Sequence, residues 1–357
     1  MKKIKLAIDA KELAKEHIGS LGFVLLELFK YLDKYDLVLL SDINLPEKYI
    51  PNNAVVVARN QAYLHGKDLV KYGSWIRKKC IEQRVDCYFQ INHFSLFKMK
   101  DIKQIVVIHD LYPLEGIEKY RLSKKVFYAV ALAITLVNAD SIFTVSNFTK
   151  RRLEHFFWRS QKVKVDYNGV TFPHTESDFK IIDGKFLLLL GRVSYWKGTI
   201  STAKFFDRYF KNSKYKLVIA GQAENKCVAT DMRKLTENKN IVWLDYVDNN
   251  TKAWLLRNAT LFLYPSRYDG FGLPPLEAAI VKTPVLMNDI AVLREVTQNA
   301  GNYIDFYGDE NNLYKKMTDL LLQNDTSKTD QLYEIASSYT WEKYAMKIVN
   351  EIEKLCE

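Results

Sequence analysis

Short apolar runs alternate with longer amphipathic segments along most of this chain. In the first half, six nearly continuous apolar runs have the pattern of strands buried on both faces of a sheet: KIKLAIDA, DLVLLSD, AVVVARN, CYFQI, QIVVIHD and SIFTVS. Four other segments have helical spacing: GFVLLELFKYL, LVKYGSWIRKKCIEQ, KKVFYAVALAITLVN and NFTKRRLEHFF. This alternation predicts a parallel sheet with helices on both faces.

The pattern lapses once and then starts again. Residues 168–185 are polar and contain Gly and Pro, so we interpret them as a linker. Beyond them, helical segments separate the apolar runs KFLLLLGR, KLVIAG, IVWLDYV, TLFLYPS and TPVLMND. We therefore predict an α/β chain with one Rossmann-like domain over residues 1–170, a second over 185–340, and a C-terminal helix over 341–357.

Length and composition fit this two-domain prediction. The 357 residues exceed an ordinary single core, and 48% hydrophobic with 26% charged residues is typical of a globular protein. The first ten residues lack the apolar core of a secretory signal, so we expect a cytoplasmic protein. The longest apolar run, residues 126–137, is shorter than the roughly 20 residues that span a bilayer. We interpret this run as a buried helix.

The cysteines and histidines give no sign of a metal site. Four cysteines are scattered without the spacing of metal ligands, and the six histidines form no cluster with each other or with Cys. Such cysteines suggest a reducing compartment and ordinary packing. We predict that the protein needs neither a metal nor another cofactor.

The formal net charge of +10 suits nucleic acid, an anionic membrane surface or phosphorylated ligands. The densest basic clusters, WIRKKCIEQR and EKYRLSKKVFY, interleave aromatic residues with Lys and Arg. They are either solvated helix faces or a surface for an anionic membrane or acceptor. No basic stripe runs along the chain, so nucleic acid is the least favoured of these partners.

Two basic residues follow the first strand of the second domain, in LLLLGRVSYWKGT. Open α/β sheets bind ligands at the carboxyl ends of their strands. Arg192 offers a planar fork for phosphate and Lys197 a mobile charge, just before a predicted helix N-terminus. Together they suit a diphosphate, although two merely exposed basic residues would give the same pattern. The P-loop and G-x-G-x-x-G fingerprints are absent from the sequence, which argues against a P-loop NTPase or a standard NAD site.

A second stretch, SRYDGFGLPPLEAA, surrounds two acids with flexible backbone. Asp269 leaves the end of a predicted strand, and Gly270 and Gly272 allow close approach of a ligand. The two prolines suit the first turn of a helix, so we expect Glu277 within that turn. Its carboxylate can accept two hydrogen bonds from the vicinal hydroxyls of a ribose. Alternatively, it only favours the helix N-terminus electrostatically.

The first domain carries weaker signals. His109 and Asp110 follow the apolar run IVVI, and either face the crevice between the domains or form a capping Asp with a satisfied His. Gly19 and Gly22 precede the first helix, where they either allow a close approach to the backbone or form a simple turn.

In this order, the motifs resemble the retaining, nucleotide-sugar-dependent glycosyltransferases of family four, which have the GT-B fold. The matching stretches are GSLGFVLLEL, VIHDLYP, NADSIFTVSNFTKRRL, YNGV, LLGRVSYWKG, VIAG, IVWLDYV, YPSRYDGFGLPPLEAAIVKTPVL, LREV and YTWEKYAMKI. The resemblance spans nearly the whole chain and is strongest over residues 185–296. It implies two Rossmann-like domains facing across a cleft, with the C-terminal helix crossing back to the first domain.

The resemblance also implies roles for individual residues. Arg192 and Lys197 would neutralise the donor diphosphate, and Glu277 would hold the ribose hydroxyls. The transferred sugar would be held, mainly by backbone amides, by the loop of Asp269, Gly270, Phe271, Gly272 and Leu273. The remaining contacts would come from His109 at the sugar or acceptor, Val247 near the base, and Gly19 beside the phosphate and acceptor. The implied catalytic residues are His109, Arg192, Lys197 and Asp269.

Three positions depart from the family pattern. Asp269 stands where the family usually has Glu, which puts the choice of sugar in question. Phe23 follows Gly22 in a loop that commonly carries an Arg. Asp245 occupies a position where Gly is common.

The implied reaction transfers a hexose from GDP-mannose or a UDP-hexose to a hydroxyl of a saccharide or lipid-linked saccharide, in polysaccharide synthesis. It would retain the anomeric configuration and need no metal, and a peripheral location at the inner face of a membrane would suit a lipid-linked acceptor. One alternative is a nucleotide-sugar epimerase or isomerase of the same fold. Another is a non-catalytic GT-B subunit, which the joint presence of Arg192, Lys197 and Glu277 disfavours.

Overall fold

The chain forms two compact units. The computed structural model describes residues 3–63, 68–92, 94–118, 120–157, 163–171, 180–322 and 326–357. Unit 1 comprises Met1–Gly169 together with Trp341–Glu357, and unit 2 comprises Val170–Thr340. The chain therefore leaves unit 1, forms the whole of unit 2, and then returns to unit 1.

Unit 1 contains a parallel sheet. Its seven described strands have the order β3-β2-β1-β4-β5-β6-β7. They are β1 (Lys5–Asp9), β2 (Asp36–Ser41), β3 (Ala54–Ala58), β4 (Cys87–Gln90), β5 (Lys103–Ile108), β6 (Ser141–Thr144) and β7 (Val163–Val165). The central strands β1, β4 and β5 are almost entirely buried, as the continuous apolar runs predicted.

Helices connect these strands. In the first part of unit 1 they are α1 (Ser20–Phe29), α2 (Leu69–Glu82), α3 (Leu122–Asn138) and α4 (Asn147–Phe156). The start of α4 is set locally, because the Ser146 hydroxyl accepts a hydrogen bond from the Thr149 N–H at 3.0 Å. This is a side-chain N-cap, which satisfies a backbone donor that the helix leaves unpaired.

The prediction that residues 126–137 form a buried helix is wrong. These residues do lie in α3, but the buried side chains of that helix are only Ala131, Leu132 and Thr135. By contrast, Val130 is 52% exposed and Val137 is 74% exposed. The apolar run did indicate a helix, but it did not show that the helix is buried. Helix α3 is apolar on two faces and packs on unit 1 through only one of them.

Unit 2 contains a second parallel sheet. Its six described strands have the order β10-β9-β8-β11-β12-β13. They are β8 (Lys185–Leu190), β9 (Tyr215–Ala220), β10 (Ile241–Trp243), β11 (Leu261–Tyr264), β12 (Val285–Asn288) and β13 (Asn302–Ile304). Fully buried side chains such as Leu187, Leu217 and Phe206 form its core. The prediction of two Rossmann-like parallel sheets is confirmed.

Seven described helices surround this second sheet. They are α5 (Thr199–Tyr209), α6 (Lys226–Leu235), α7 (Asn249–Asn258), α8 (Leu273–Ile280), α9 (Ala291–Val296), α10 (Glu310–Leu322) and α11 (Ser327–Ser338). Of the predicted linker at residues 168–185, residues 172–179 lie outside the described part of the chain. No helix in the described part is long and apolar enough to cross a membrane.

The last helix, α12 (Trp341–Cys356), packs on unit 1, which confirms the predicted return of the chain. The Trp341 ring meets the Phe23 ring edge-on, with centroids 5.9 Å apart. A Cβ on Gly169 would lie 2.4 Å from the Trp341 backbone nitrogen, so only glycine fits there. Glu351 forms an ion pair with Lys164.

A buried carboxyl lies beneath α12. Asp166, directly after β7, is 1% exposed, and its Oδ1 is 3.2 Å from the Lys347 Nζ. Its Oδ2 has no hydrogen-bond partner among the described residues. Burial raises the pKa of Asp166 to about 7, although the nearby Lys347 ammonium acts to lower this pKa. Unit 1 therefore contains a carboxyl group that titrates near neutral pH.

Candidate active site

Lys197 and Asp269 form the centre of a polar site at the carboxyl ends of the unit 2 strands. The Lys197 Nζ is 2.7 Å from Asp269 Oδ2. Tyr264, the last residue of β11, donates its hydroxyl proton to the same oxygen, and its own oxygen is 3.4 Å from the Lys197 Nζ. About a fifth of each charged side chain remains accessible, 22% for Lys197 and 20% for Asp269.

The protonation states in this cluster follow from its contacts. Burial acts to raise the pKa of Asp269, but the Lys197 ammonium and the hydrogen bond from Tyr264 hold that pKa below its ordinary value. Burial raises the pKa of Tyr264 well above its ordinary value, and the charges of Asp269 and Glu277 raise this pKa further. At neutral pH the cluster therefore combines a carboxylate, an ammonium and a neutral phenol.

A tight backbone turn sets the position of Lys197. The Lys197 N–H donates to the Ser194 Oγ at 3.2 Å. The next residue, Gly198, has φ 75°, and a Cβ there would lie 2.3 Å from the Tyr307 Oη. Tyr307 donates to the carbonyl oxygen of Pro265 at 2.6 Å. The turn that carries Lys197 is thus fixed against the end of β11.

The helices α5 and α8 start beside this cluster without a side-chain cap. Each is preceded by a left-handed glycine, Gly198 or Gly272. By contrast, α6 and α7 are capped by the side chains of Asn225 and Asp248. An uncapped helix N-terminus leaves N–H groups pointing outward and carries a partial positive charge. The start of α5 is therefore suited to bind anionic or sugar oxygens, whereas α8 offers fewer donors, because Pro274 and Pro275 in its first turn have no N–H.

The loop between Asp269 and α8 is held in place by its own contacts. The Gly270 N–H donates to Asp269 Oδ1 at 3.0 Å. The Phe271 ring is buried and meets the Tyr339 ring edge-on at 5.6 Å. Gly272 has φ 90°, and a Cβ there would lie 2.6 Å from the Leu293 Cδ2. Because the Phe271 side chain points into unit 2 and the Gly270 N–H is already bonded to Asp269, the loop can offer a ligand mainly its remaining backbone groups.

Glu277 is placed differently from the prediction. Because α8 begins at Leu273, Glu277 is its fifth residue and lies in the second turn, so the expectation of a first-turn position is wrong. Its Oε1 accepts from the Lys252 Nζ at 2.6 Å, and the residue is 8% exposed. Lys252 lies on α7, and the sequence analysis missed it because nothing in the surrounding residues distinguishes it.

Two further predicted residues of unit 2 lie at strand ends. Arg192 follows β8, is exposed, and forms no ion pair with any described residue. Val247 is half-buried just before α7. Between β10 and Val247, Asp245 has φ 55°, and its carbonyl oxygen accepts from the Gly221 N–H at 2.6 Å. This left-handed conformation favours Gly and tolerates Asp, which explains the departure noted in the sequence.

Two of the predicted residues, Gly19 and His109, lie in unit 1. Gly19 precedes α1, and a Cβ there would meet nothing within 4 Å. His109 follows β5, is half-buried, and its carbonyl oxygen accepts from the Thr149 hydroxyl at 3.4 Å. Their assigned roles stay predictions.

Unit 1 also contains a cavity of about 350 Å³ that the sequence analysis did not foresee. Its lining is mostly aromatic and aliphatic, with Lys11, Gln90 and Asn92 among its polar members. Lys11 pairs with the buried Asp9 at 2.5 Å, and Gln90 donates to the same Asp9 oxygen at 3.0 Å. The Tyr72 hydroxyl donates to the other oxygen at 2.9 Å. The sequence signal that could have indicated this cavity is Asp9, an acidic residue at the end of β1.

Two curated proteins are similar to this chain, the first over most of its length and the second over about half of it. An uncharacterized glycosyltransferase of Methanocaldococcus jannaschii is 25% identical over 296 residues, which cover 74% of each chain. The O-antigen chain mannosyltransferase RfbU of Salmonella typhimurium is 27% identical over 206 residues, which cover 57% of this chain and 56% of that protein.

A solved structure has the same fold. HepE of Anabaena, determined in complex with UDP and glucose, superimposes with a TM-score of 0.77 at 15% identity, covering 98% of this chain and 100% of that one. Two family models also match: Glycosyltransferase Family 4 over residues 25–172 and Glycosyl transferases group 1 over residues 175–338. Since these matches together span nearly the whole chain, the protein belongs to the group 1, family 4 glycosyltransferases, which have the GT-B fold.

Proposed function

We propose that the protein transfers a hexose from a nucleotide diphosphate sugar to a hydroxyl group of a saccharide or lipid-linked saccharide, with retention of the anomeric configuration. The observation that carries this proposal is the cluster of Lys197, Asp269 and Tyr264 beside the uncapped start of α5. It combines a fixed cation, a carboxylate and outward N–H groups within one strand-end site of unit 2. These groups suit a diphosphate and its attached sugar.

The ion pair between Lys197 and Asp269 is compatible with diphosphate binding. An ammonium group has three protons, and the contacts with Asp269 and Tyr264 use two of them. The third proton and the exposed Arg192 remain for phosphate oxygens. When the bond between the anomeric carbon and the diphosphate breaks, negative charge develops on the leaving group. A cation that is already in place stabilises this charge without reorganising.

The acceptor hydroxyl attacks the anomeric carbon from the face that the diphosphate leaves. A new bond forms between the acceptor oxygen and this carbon, while the bond to the leaving phosphate oxygen breaks. A phosphate oxygen of the donor takes the acceptor's proton. Asp269 is held ionised by Lys197, so its part in this scheme is to orient the sugar and to stabilise positive charge on the sugar ring.

The donor is a GDP- or UDP-linked hexose. The similarity to a mannosyltransferase of O-antigen chains favours GDP-mannose, and the fold shared with HepE, solved with UDP and glucose, keeps UDP-hexoses open. Asp269 is one methylene shorter than Glu and is held by Lys197 and Tyr264. A sugar hydroxyl that bonds to this carboxylate must therefore lie closer to the backbone of the loop than it would with Glu.

The reaction can be tested by screening donors and then analysing products. A bound donor at about a hundred times its Kd adds about 2.7 kcal/mol of stability, so the true donor is expected to raise the melting temperature more than its UDP-, GDP- or dTDP-linked competitors. NMR of a reaction with this donor and a mixture of saccharide acceptors should show a product with unchanged anomeric configuration. An inverted product refutes retention, and a changed donor sugar without any acceptor indicates an epimerase instead.

Glu277 is expected to contribute to donor binding. In the substitution Glu277→Gln the side chain keeps its size but loses the charge that strengthens hydrogen bonds from ribose hydroxyls. We expect the Kd of the nucleotide diphosphate to rise about tenfold, equivalent to about 1.4 kcal/mol, as measured by calorimetry. The exposed Glu237→Gln serves as the matched control, and equal Kd values for both variants would exclude the ribose role.

The cavity of unit 1 is the proposed acceptor pocket. Its mostly apolar lining, with Lys11, Gln90 and Asn92 as polar members, suits an acceptor with both apolar and hydroxyl-bearing parts. Asp9 holds Lys11 and Gln90 in place and is itself held by the Tyr72 hydroxyl. A lipid-linked saccharide has this mixed chemistry.

A further inference from the structure

Helix α3 presents an unusual exposed face. Six large apolar side chains on this helix are between 39% and 76% exposed: Leu122, Val126, Phe127, Val130, Ile134 and Val137. At about 100° per residue, they lie within an arc of roughly 140°. The three buried side chains of α3 lie on the opposite side. We call these six residues the α3 stripe.

The charges of α3 are all of one sign. The helix and its N-cap carry Arg121, Lys124 and Lys125, and no acidic residue occurs between Arg121 and Ala139. The helical rotation places Lys124 beside one edge of the α3 stripe and Lys125 beside the other. An apolar stripe flanked by cations is the pattern of a helix that lies in the interface of an anionic bilayer.

We propose that the α3 stripe docks unit 1 on the surface of an anionic lipid bilayer. The apolar side chains enter the boundary between headgroups and acyl chains, and the flanking cations contact anionic headgroups. Charge decides against a second copy of the chain as the occupant, because pairing two such faces would bring the same cations together. Such a contact is peripheral, because only one face of α3 enters the bilayer interface.

The stripe adjoins the proposed acceptor pocket. Phe127 belongs to the α3 stripe and also lines the cavity. Its neighbours Lys124 and Tyr128 line the cavity without belonging to the stripe. A docked helix would therefore bring the cavity beside lipid headgroups, where the saccharide of a lipid-linked acceptor lies. The placement of the cavity beside a lipid-linked acceptor rests on the proposed transfer reaction, whereas the docking of α3 on the bilayer does not.

The test uses the full chain and vesicles of phosphatidylcholine with or without about 30% phosphatidylglycerol, in a flotation assay. Wild-type protein is expected to float with the anionic vesicles at 50 mM salt and to bind less at 500 mM, because salt screens the cations. The triple variant Val126→Asn/Val130→Asn/Ile134→Asn is expected to lower the partition coefficient at least about tenfold. All three positions are exposed, so folding should be preserved.

Helix α2 supplies a matched control. It also carries a basic cluster, and its Val70 and Ile81 are 54% and 52% exposed but do not belong to a continuous stripe. The double variant Val70→Asn/Ile81→Asn is expected to bind vesicles within about twofold of wild type.

Three outcomes would overturn the docking proposal. They are wild-type protein that does not bind the anionic vesicles, triple and control variants that bind equally, or a wild-type dimer that the triple variant abolishes. The last outcome would identify a second copy as the occupant. Transfer to a soluble saccharide acceptor, measured without vesicles, should be unchanged in the triple variant, so the proposed function and docking can fail separately.

Discussion

Replacing Lys197 by Met is expected to lower kcat/KM for sugar transfer by at least about a hundredfold, equivalent to about 2.7 kcal/mol of barrier. The ammonium would stabilise charge that develops on the leaving diphosphate, so the loss should appear mainly in kcat. Lys204→Met on the exposed face of α5, the helix that follows Lys197, is the matched control and should retain near-normal activity.

A second role for Lys197 has to be separated from the first. Lys197 also neutralises Asp269 at 2.7 Å, so its removal leaves a carboxylate without its cation. A double-mutant cycle with Asp269→Asn resolves the two roles. If Lys197 serves the diphosphate, Lys197→Met slows the Asp269→Asn variant by about the same factor as it slows the wild type. If Lys197→Met has no effect in the Asp269→Asn background, Lys197 only compensates Asp269, which would contradict the proposed role.

The substitution Asp166→Asn is expected to stabilise unit 1 at pH 8 and to have little effect at pH 4. Burial raises the pKa of Asp166 from 3.8 in the unfolded chain to about 7 in the folded protein. Between these values the folded state binds more protons than the unfolded state, so the free energy of unfolding falls as pH rises. This span of about three pH units corresponds to about 4 kcal/mol.

The measurement is urea unfolding at pH 4, 6 and 8, followed by hydrogen–deuterium pulse labelling of peptides from α12. These peptides report on unit 1 alone, which matters because a chain of two units need not unfold in one step. The exposed Asp33→Asn controls for removal of a negative charge. A stability difference between Asp166→Asn and wild type that is the same at pH 4 and pH 8 would show that Asp166 is not the titrating group.

The sequence predicted most of the fold because both sheets are buried on both faces. Continuous apolar runs marked the central strands and also the three-residue edge strand β10. The equally short edge strands β7 and β13 were missed, because Lys164 and Asn302 interrupt their apolar pattern. The apolar run of α3 was assigned to the core, although hydrophobic spacing alone cannot show whether each face of a helix is covered.

The candidate site was predicted in part. Lys197 and Asp269 were identified because each follows a buried strand, but their direct pairing joins residues 72 positions apart, which no local pattern reveals. The contact of Lys252 with Glu277 and the buried group around Asp9 were missed for the same reason. Tyr264 could have been identified from the sequence, because it is the last residue of β11, a predicted strand that ends at the site.

The return of the chain from Thr340 to unit 1 has a consequence for synthesis on the ribosome. Unit 2 is one continuous segment and can complete its core as soon as it has left the exit tunnel. Unit 1 cannot do so, because Trp341 and six further buried residues of α12 are translated last. Its apolar surface under α12 therefore stays uncovered while about half of the chain is still being made, and nascent unit 1 should be the part that chaperones bind.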